Sequence, residues 1–211
     1  MGDYPTLAQA RKVLVVEGYS DLRFYAEMME QIGLPSDVHI KQFNGRVDIE
    51  TKLEEFVTSQ LLSQKERLAV IVDANGDGPA AAGRFAALLS RLTGQSVECG
   101  RWTAGTPRVG LFIVPGPGEA GEIETLVWRS WSASDGNREA VACIESYLVC
   151  MRGRGIEPQS PEKGRIGALL ALRNDDDPRL GPGAQARVFD FGRPEFGRLA
   201  TFLRGFGSDG A

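Results

Sequence analysis

Four short apolar segments recur along the first half of the chain, and an amphipathic segment comes after each of the first three. The apolar runs are rich in β-branched residues and leave no face for water, as in strands buried on both sides of a parallel sheet. The amphipathic segments carry apolar residues at helical spacing. This alternation predicts a mainly parallel sheet with helices on both faces. The predicted strands are Val13–Val16, Val38–Phe43, Leu68–Val72 and Val109–Val114.

The second half of the chain is predicted to be helical. Helical spacing continues in Ile123–Trp131, Arg138–Arg152 and Lys163–Arg173, and "RPEFGRLATFLRGF" favours a last helix, whereas "NDDDPRLGPGAQ" predicts a loop. We therefore expect an α/β fold with a mainly parallel four-stranded sheet flanked by helices. Residues 1–130 would form this core, residues 131–205 would add helices that pack on it within the same compact unit, and residues 206–211 would be a flexible tail.

Composition narrows the class of protein. The 211 residues are 42% hydrophobic and 25% charged, which is ordinary for a globular domain, and the net charge of −4 argues against electrostatic binding of nucleic acid by the whole surface. No apolar stretch reaches the roughly 20 residues that span a bilayer, so we expect a cytoplasmic protein without membrane contact. Three cysteines without a C-x-x-C pair argue against a thiolate zinc site, and the single His39 excludes mechanisms that need two histidines.

Acidic residues follow the ends of three predicted strands. In a parallel sheet the carboxyl ends of the strands lie at one edge, and ligands bind outside that edge. Glu17 comes directly after the first strand, before Gly18, which allows a sharp turn. We therefore expect a set of carboxylates to converge on one cleft beside glycine-rich loops: Glu17, Asp73, Asp77, Glu122 and Glu124, together with Asn75.

Clustered carboxylates repel one another unless a cation joins them. Oxygen ligands without nearby thiolate or imidazole suit Mg²⁺, or Mn²⁺ as a substitute, and such ions can activate water and stabilise the leaving oxygen in phosphodiester cleavage. The competing interpretation is a solvated or helix-capping role, which is the better one for Asp77 and Glu122 taken singly. The shared edge favours a functional role for Glu17, Asp73 and Glu124.

Three motifs in this order, "VLVVEGYSD", "AVIVDANGD" and "GEIETLVW", resemble the Toprim superfamily, whose members include primases, topoisomerases, recombination mediators and OLD-type nucleases. The resemblance covers about the first 130 residues. The third motif is similar to a segment of small stand-alone Toprim-like proteins related to the OLD nucleases. "FNGRVDIETKL" resembles the glycine-basic turn of that group, and "EKGRIGALLAL" resembles its late lysine-bearing helix.

The resemblance implies roles for individual residues. Glu17 would be the general base or a metal ligand, and Lys163 would stabilise charge that develops on the phosphorane. The family's second aspartate is Asn75 here, which contributes an oxygen but no charge, and Asp77 matches a third acid of some members. The implied ligands of Mg²⁺ or Mn²⁺ are Glu17, Asp73, Asn75, Asp77 and Glu124, and the candidate contacts to phosphate or substrate are Gly18, Asp21, Gly45, Arg46 and Glu122.

These motifs together predict Mg²⁺-dependent cleavage of DNA or RNA by a Toprim/OLD-type nuclease, a hydrolase of phage defence or DNA repair. Because the chain has no "GxxxxGK[ST]" phosphate loop, any ABC-type ATPase would be a partner chain, and a homodimer is a further expectation. Asn75 and the acidic charge favour an alternative, a catalytically weak or inactive subunit with the Toprim fold that binds nucleic acid or a partner protein. A response-regulator-like phosphoacceptor fits "VVEGYSD" poorly. Trp128 and Trp131 are either base-stacking or core residues.

Overall fold

A parallel four-stranded sheet forms the centre of the molecule. The computed structural model describes residues 5–34, 37–43, 46–58 and 64–207, with side chains at all of these positions except 46–48. The strand order is β2-β1-β3-β4 and every pairing is parallel, which confirms the α/β fold class. Each boundary lies within one residue of the predicted one: the strands are β1 (Lys12–Val16), β2 (Val38–Gln42), β3 (Arg67–Asp73) and β4 (Arg108–Val114).

Helices cover both faces of the sheet, as the alternating pattern predicts. Within the described part of the chain, every helix is too short or too polar to cross a membrane. Short 3₁₀ turns at Asp135–Asn137 and Pro194–Phe196 precede the fifth and the last helix. The helices are α1 (Tyr19–Gln31), α2 (Arg46–Val57), α3 (Gly78–Thr93), α4 (Ile123–Ser132), α5 (Arg138–Arg152), α6 (Pro161–Arg173), α7 (Leu180–Gln185) and α8 (Gly197–Arg204).

The core has two halves, one on each face of the sheet. Val13 and Val15 of β1 face α2 and α3, whereas Leu14 and Val16 face the opposite side. On that side the sheet packs against α1 and against the helices of the second half of the chain. Successive strand residues point to opposite faces, so the uninterrupted apolar runs reflect burial on both.

The segment predicted as a loop, 174–185, contains helix α7, so that prediction is wrong for its second half. Leu180 and Ala184 are buried in the core. A Cβ atom on Gly181 would lie only 2.6 Å from the Cβ atom of Arg23 in α1. Gly181 therefore permits two helices to approach closely, and the glycines that suggested a turn have a packing role.

The predicted tail begins too early, because Phe206 belongs to the core. Its side chain is fully buried, and its ring centroid lies 5.0 Å from that of Trp102 in an edge-to-face arrangement. Trp102 also stacks on Phe202 of α8 and donates a hydrogen bond from Nε1 to the Phe202 carbonyl, at 2.9 Å. These contacts anchor the end of α8 on the sheet; residues 208–211 lie outside the described part of the chain.

The close contact between α1 and α7 predicts a difference between two glycine substitutions. Gly181→Ala should destabilise the protein by about 1–3 kcal/mol, because its methyl group would overlap α1. Gly83→Ala in the exposed face of α3 meets no atom within 4 Å and should stabilise by ~0.5–1 kcal/mol through helix propensity. Urea unfolding followed by circular dichroism measures both, and equal effects would contradict the proposed packing.

Candidate active site

Two acidic side chains accept hydrogen bonds from backbone N–H groups and so connect the ends of β1 and β3 to the start of α4. Glu17 is the first residue after β1, and its Oε1 accepts a hydrogen bond from the backbone N–H of Asp73, at 3.1 Å. Asp73 is the last residue of β3, and its Oδ1 accepts from the backbone N–H of Ile123, at 3.0 Å. Ile123 begins α4. The three elements are thus tied together at the carboxyl edge of the sheet by carboxylate oxygens.

The start of α4 adds two further acids to this edge. Glu122 precedes the helix and Glu124 lies in its first turn. The N-terminal end of a helix carries unpaired N–H groups and a partial positive charge, which stabilises nearby carboxylates. The bond from Ile123 to Asp73 uses one of these N–H groups. The α4 N-terminus therefore offsets part of the repulsion among the acids around it.

Asn75 fixes the loop that follows β3. Its φ is +53°, a left-handed conformation in which asparagine is enriched among residues other than glycine. The N–H of Asn75 donates to the carbonyl of Gly121 at 2.7 Å, and the N–H of Gly121 donates back at 2.6 Å. The Nδ2 group donates to the Asp73 carbonyl at 3.3 Å. Asn75 thus sets the distance between Asp73 and the loop that carries Glu122.

Asp21 comes to the same edge from the first turn of α1. Its Oδ2 accepts a hydrogen bond from the backbone N–H of Gly18, at 2.8 Å, which closes the start of the helix. Burial and then the negative charges of Glu124 and Glu17 raise the pKa of Asp21 to about 7, against the lowering effects of the Gly18 amide and the Lys163 ammonium. Asp21 is therefore part of the acid cluster.

Lys163 brings a cation to the acids from the C-terminal helices. It lies in the first turn of α6, where Ser160 caps the helix by accepting from the Lys163 N–H at 3.3 Å. Its Nζ lies 2.6 Å from Oε2 of Glu122. Burial lowers the pKa of Lys163, but the bond to Glu122 and the charge of Glu124 outweigh that effect and leave the pKa above its usual value. Lys163 is thus charged at neutral pH.

Burial and mutual repulsion disfavour the charged forms of the central acids. The pKa of Asp73 lies well above its ordinary value, first because the group is buried and then because Asp21 and Glu17 are close. Burial also raises the pKa of Glu124, against the lowering effect of Lys163. Such shifts are common where acids are gathered for chemistry or for cation binding.

Tyr25 joins the site although its sequence position suggests only a core residue. It follows Asp21 by one helical turn on α1 and is buried. Burial, and next the charges of Asp73 and Asp21, raise the pKa of its phenol well above 10. The only sequence signal is this four-residue spacing, which places Asp21 and Tyr25 on one side of the helix.

The remaining candidate residues have other positions. Asp77 is exposed and caps α3, with Oδ1 accepting from the Ala80 N–H at 2.9 Å. Gly45 and the side chain of Arg46 lie outside the described residues. Trp128 and Trp131 are buried core residues. His39 forms a hydrogen bond between Nδ1 and the carbonyl of Pro5, at 2.9 Å, which is a structural role.

The carboxylate oxygens at this edge are suitable ligands for a cation, but the described side chains are not arranged around one. Among the residues that the structure describes, no three carboxylate, imidazole or thiolate groups are arranged to hold a metal ion. The donor set itself is of carboxylate oxygens, which is the chemistry that Mg²⁺ prefers. Hydrogen bonds to Glu17, Asp73 and Asp21 each engage a carboxylate oxygen and orient the group.

Residues 11–207 match one protein family, which is described as a protein of unknown function (DUF3226). The chain belongs to this family. The match to DUF3226 runs from the start of β1 past the end of α8, so it includes both the acids and Lys163. No curated protein and no solved structure matches the chain.

The raised pKa of Asp21 predicts that the metal-free protein loses stability as pH rises. Its carboxyl group holds a proton in the folded state up to about pH 7, whereas the unfolded chain releases it near the ordinary value of 3.8. The folded state therefore binds more protons between these values, and stability should fall by on the order of 2 kcal/mol between about pH 5 and pH 8.

Asp21→Asn should remove much of this dependence, because the amide oxygen still accepts from Gly18 but carries no charge. Urea unfolding at several pH values in EDTA measures the difference. Glu98→Gln is the matched control, since Glu98 is exposed and pairs with Arg101 at 3.4 Å, away from the acids. If the free energy of unfolding changes with pH equally in Asp21→Asn and in the unsubstituted protein, the raised pKa of Asp21 is contradicted.

Proposed function

We propose that this protein cleaves phosphodiester bonds of nucleic acid in a Mg²⁺-dependent reaction, as a Toprim-type hydrolase related to the OLD-type nucleases. The observation that carries the proposal is the convergence of acids from β1, β3 and α4 at one sheet edge, with Lys163 against them. Glu17 is bonded to the Asp73 amide, and Asp73 to the amide at the start of α4. These residues lie in the three motifs on which the Toprim resemblance rests.

In this proposal the carboxylates of Glu17, Asp73 and Glu124 hold the cation, with Asn75 as an uncharged oxygen donor. The ion, when bound, would activate water and stabilise the leaving oxygen. A cation would also relieve the repulsion within the cluster. Because the described side chains do not form a cation site as they stand, binding requires rotation of at least one carboxylate.

The chain's own groups supply the other requirements of the reaction. Glu17, oriented by the Asp73 amide, is the proposed general base. Lys163 is positioned by the cap of α6 and is charged, so it would stabilise negative charge on the transferring phosphoryl group. Helices α1 and α4 both begin at this edge, and their N-terminal ends favour a phosphate.

The biological setting follows from the same resemblance. Nucleic acid, either DNA or RNA, would be the substrate, and an ABC-type ATPase would be a separate chain. A cytoplasmic role in phage defence or DNA repair is part of the proposal.

Loss of the negative charge of either central acid should slow cleavage strongly. With labelled single- and double-stranded DNA and RNA in Mg²⁺ or Mn²⁺, we expect cleavage by the unsubstituted protein and a rate at least about 100-fold lower for Glu17→Gln and Asp73→Asn. Both changes keep an oxygen that can accept the observed amide bond. Glu98→Gln should cleave normally. If cleavage survives both substitutions, it comes from a contaminant or from another site. If the unsubstituted protein cleaves none of the substrates, the proposed enzymatic activity is refuted.

Asn75 allows a test in which a carboxylate is added to the acid edge instead of removed. Asn75→Asp adds a carboxylate to the acid edge, and aspartate tolerates the left-handed conformation found there. If the cation binds at this edge, the affinity for Mg²⁺ should rise by about 10-fold or more, which titration calorimetry measures. An unchanged affinity would place the cation elsewhere, provided that thermal unfolding shows the variant to be folded.

One observation favours a second function, a catalytically weak or inactive subunit that binds nucleic acid or a partner protein through the same edge. Lys163 already places a positive charge on Glu122, and no three described acids surround a cation position. This function predicts that Mg²⁺ and Mn²⁺ produce no stoichiometric heat of binding. A stoichiometric cation site that Asp73→Asn removes would exclude it.

A further inference from the structure

Exposed apolar side chains concentrate in helices α5 and α6 and in the loop that joins them. Of the five large hydrophobic side chains that the described residues leave exposed, four lie between positions 147 and 172. Tyr147 and Val149 belong to α5, Ile156 to the loop after it and Leu172 to α6. Single exposed hydrophobics are normal on a protein surface, but a local concentration of them is typical of an interaction surface.

Helix α5 presents an unusual outer face. Only Ile144 of its 15 residues is buried. The side of α5 that points away from the core has small exposed residues, and these would let another helix approach closely. We define the α5 face by these residues: Ala142, Cys143, Ser146 and Cys150, flanked by Tyr147 and Val149.

A groove beside the α5 face adds further apolar surface. It lies between α5 and α6 and has a volume of about 320 Å³. Most of its lining is apolar or small, and two charged residues, Glu157 and Lys163, also line it; the other lining residues include Tyr147, Ile156, Pro158, Gly167 and Ala168. The exposed ring of Tyr147 forms its border with the α5 face. A partner helix on α5 would therefore also cover part of this groove, which enlarges the area that association removes from water.

The charges at the two ends of α5 have opposite signs, so two copies of the helix complement each other when they run antiparallel. Glu139 stands at its start and Arg154 just beyond its end, while two other charged residues at these ends pair within the chain: Arg138 with Asp135 at 3.1 Å and Arg152 with Glu157 at 3.8 Å. In an antiparallel pair of such helices, Glu139 of each copy faces Arg154 of the other. In a parallel pair, glutamate would face glutamate and arginine would face arginine. Opposite charges at these ends therefore select one orientation.

We propose that the α5 face binds the α5 face of a second copy of this chain, antiparallel and about a two-fold axis between Ser146 and Tyr147. A two-fold contact uses the same surface on both subunits. About this axis Cys143 lies opposite Cys150 of the second copy, and Glu139 lies opposite Arg154 of the second copy. The small residues at the centre allow close approach of the helices, and the charged residues at the ends fix the register.

The two cysteines give the proposal a direct test. Cys143 and Cys150 are both exposed, and they are seven residues apart, about 10 Å along the helix axis. A disulfide requires Cα atoms within roughly 7 Å, so a disulfide between Cys143 and Cys150 must join two chains. Oxidation by copper-phenanthroline at micromolar protein should therefore give a disulfide-linked dimer on a non-reducing gel.

Single-cysteine variants distinguish the orientation. Cys143→Ser and Cys150→Ser should each fail to cross-link alone, whereas an equimolar mixture of the two should cross-link, with peptide mapping showing Cys143 joined to Cys150. Cross-linking of either variant with itself would contradict the antiparallel pair. Cys99 is retained in every variant as an internal control, because it is half-buried and burial raises its pKa, which makes it poorly reactive.

Solution mass supplies a measurement that does not depend on oxidation. Light scattering after gel filtration in reducing buffer should give twice the chain mass of 22.9 kDa. Ala142→Glu should weaken the dimer by at least about 10-fold, because it places a charge among the small residues of the α5 face, about one helical turn from the two-fold axis. Ala87→Glu, the same change on the exposed side of α3, should leave the mass unchanged. A monomer at all concentrations, or equal masses for both variants, would overturn the proposal.

Discussion

Backbone amide groups hold the acids of this protein in place. Glu17 accepts from the amide of Asp73, Asp73 accepts from the amide of Ile123, and Asp21 accepts from the amide of Gly18. Each donor lies at the end of a strand or the start of a helix, where backbone amides lack a partner within the element. The acids therefore complete the hydrogen bonding of the fold, and they cannot separate without leaving those amides unpaired.

This arrangement has an electrostatic cost, and the C-terminal helices reduce it. The pKa of Asp73 and of Asp21 is raised because burial and neighbouring acids disfavour their charged forms. Lys163 comes from α6, more than 30 residues after the last strand, and its ammonium group lies 2.6 Å from a carboxylate oxygen of Glu122. The acid edge is thus completed by the helical second half of the chain. Protonation or a bound cation would relieve the remaining repulsion, and the proposed function requires the cation.

The sheet and the gathering of the acids can be predicted from sequence, because both follow from local patterns. Apolar β-branched runs identify strands, and parallel strands bring Glu17 and Asp73 to one edge. The position of Lys163 near the acids comes only from family resemblance, since no local pattern shows where a late helix packs. Helix α7 escapes prediction because Gly181 looks like a turn residue unless the nearness of α1 is known. Tyr25 escapes it because a phenol at an apolar helix position looks like core.

The acid edge and the groove beside the proposed dimer face share helix α6, because Lys163 pairs with Glu122 and also lines that groove. Arg165 of α6 pairs with Glu145 on the inner side of α5 at 2.7 Å, and its guanidinium lies 5.8 Å above the ring of Trp128 in α4. A second copy on the α5 face would cover part of the groove that Lys163 lines, whereas Glu17 and Asp73 lie outside that groove. Loss of the dimer should therefore leave Glu17 and Asp73 in place, and substitution of these two acids should leave the dimer intact. Two contacts could couple them energetically: Lys163, which touches both the groove and Glu122, and the ion pair between Arg165 and Glu145.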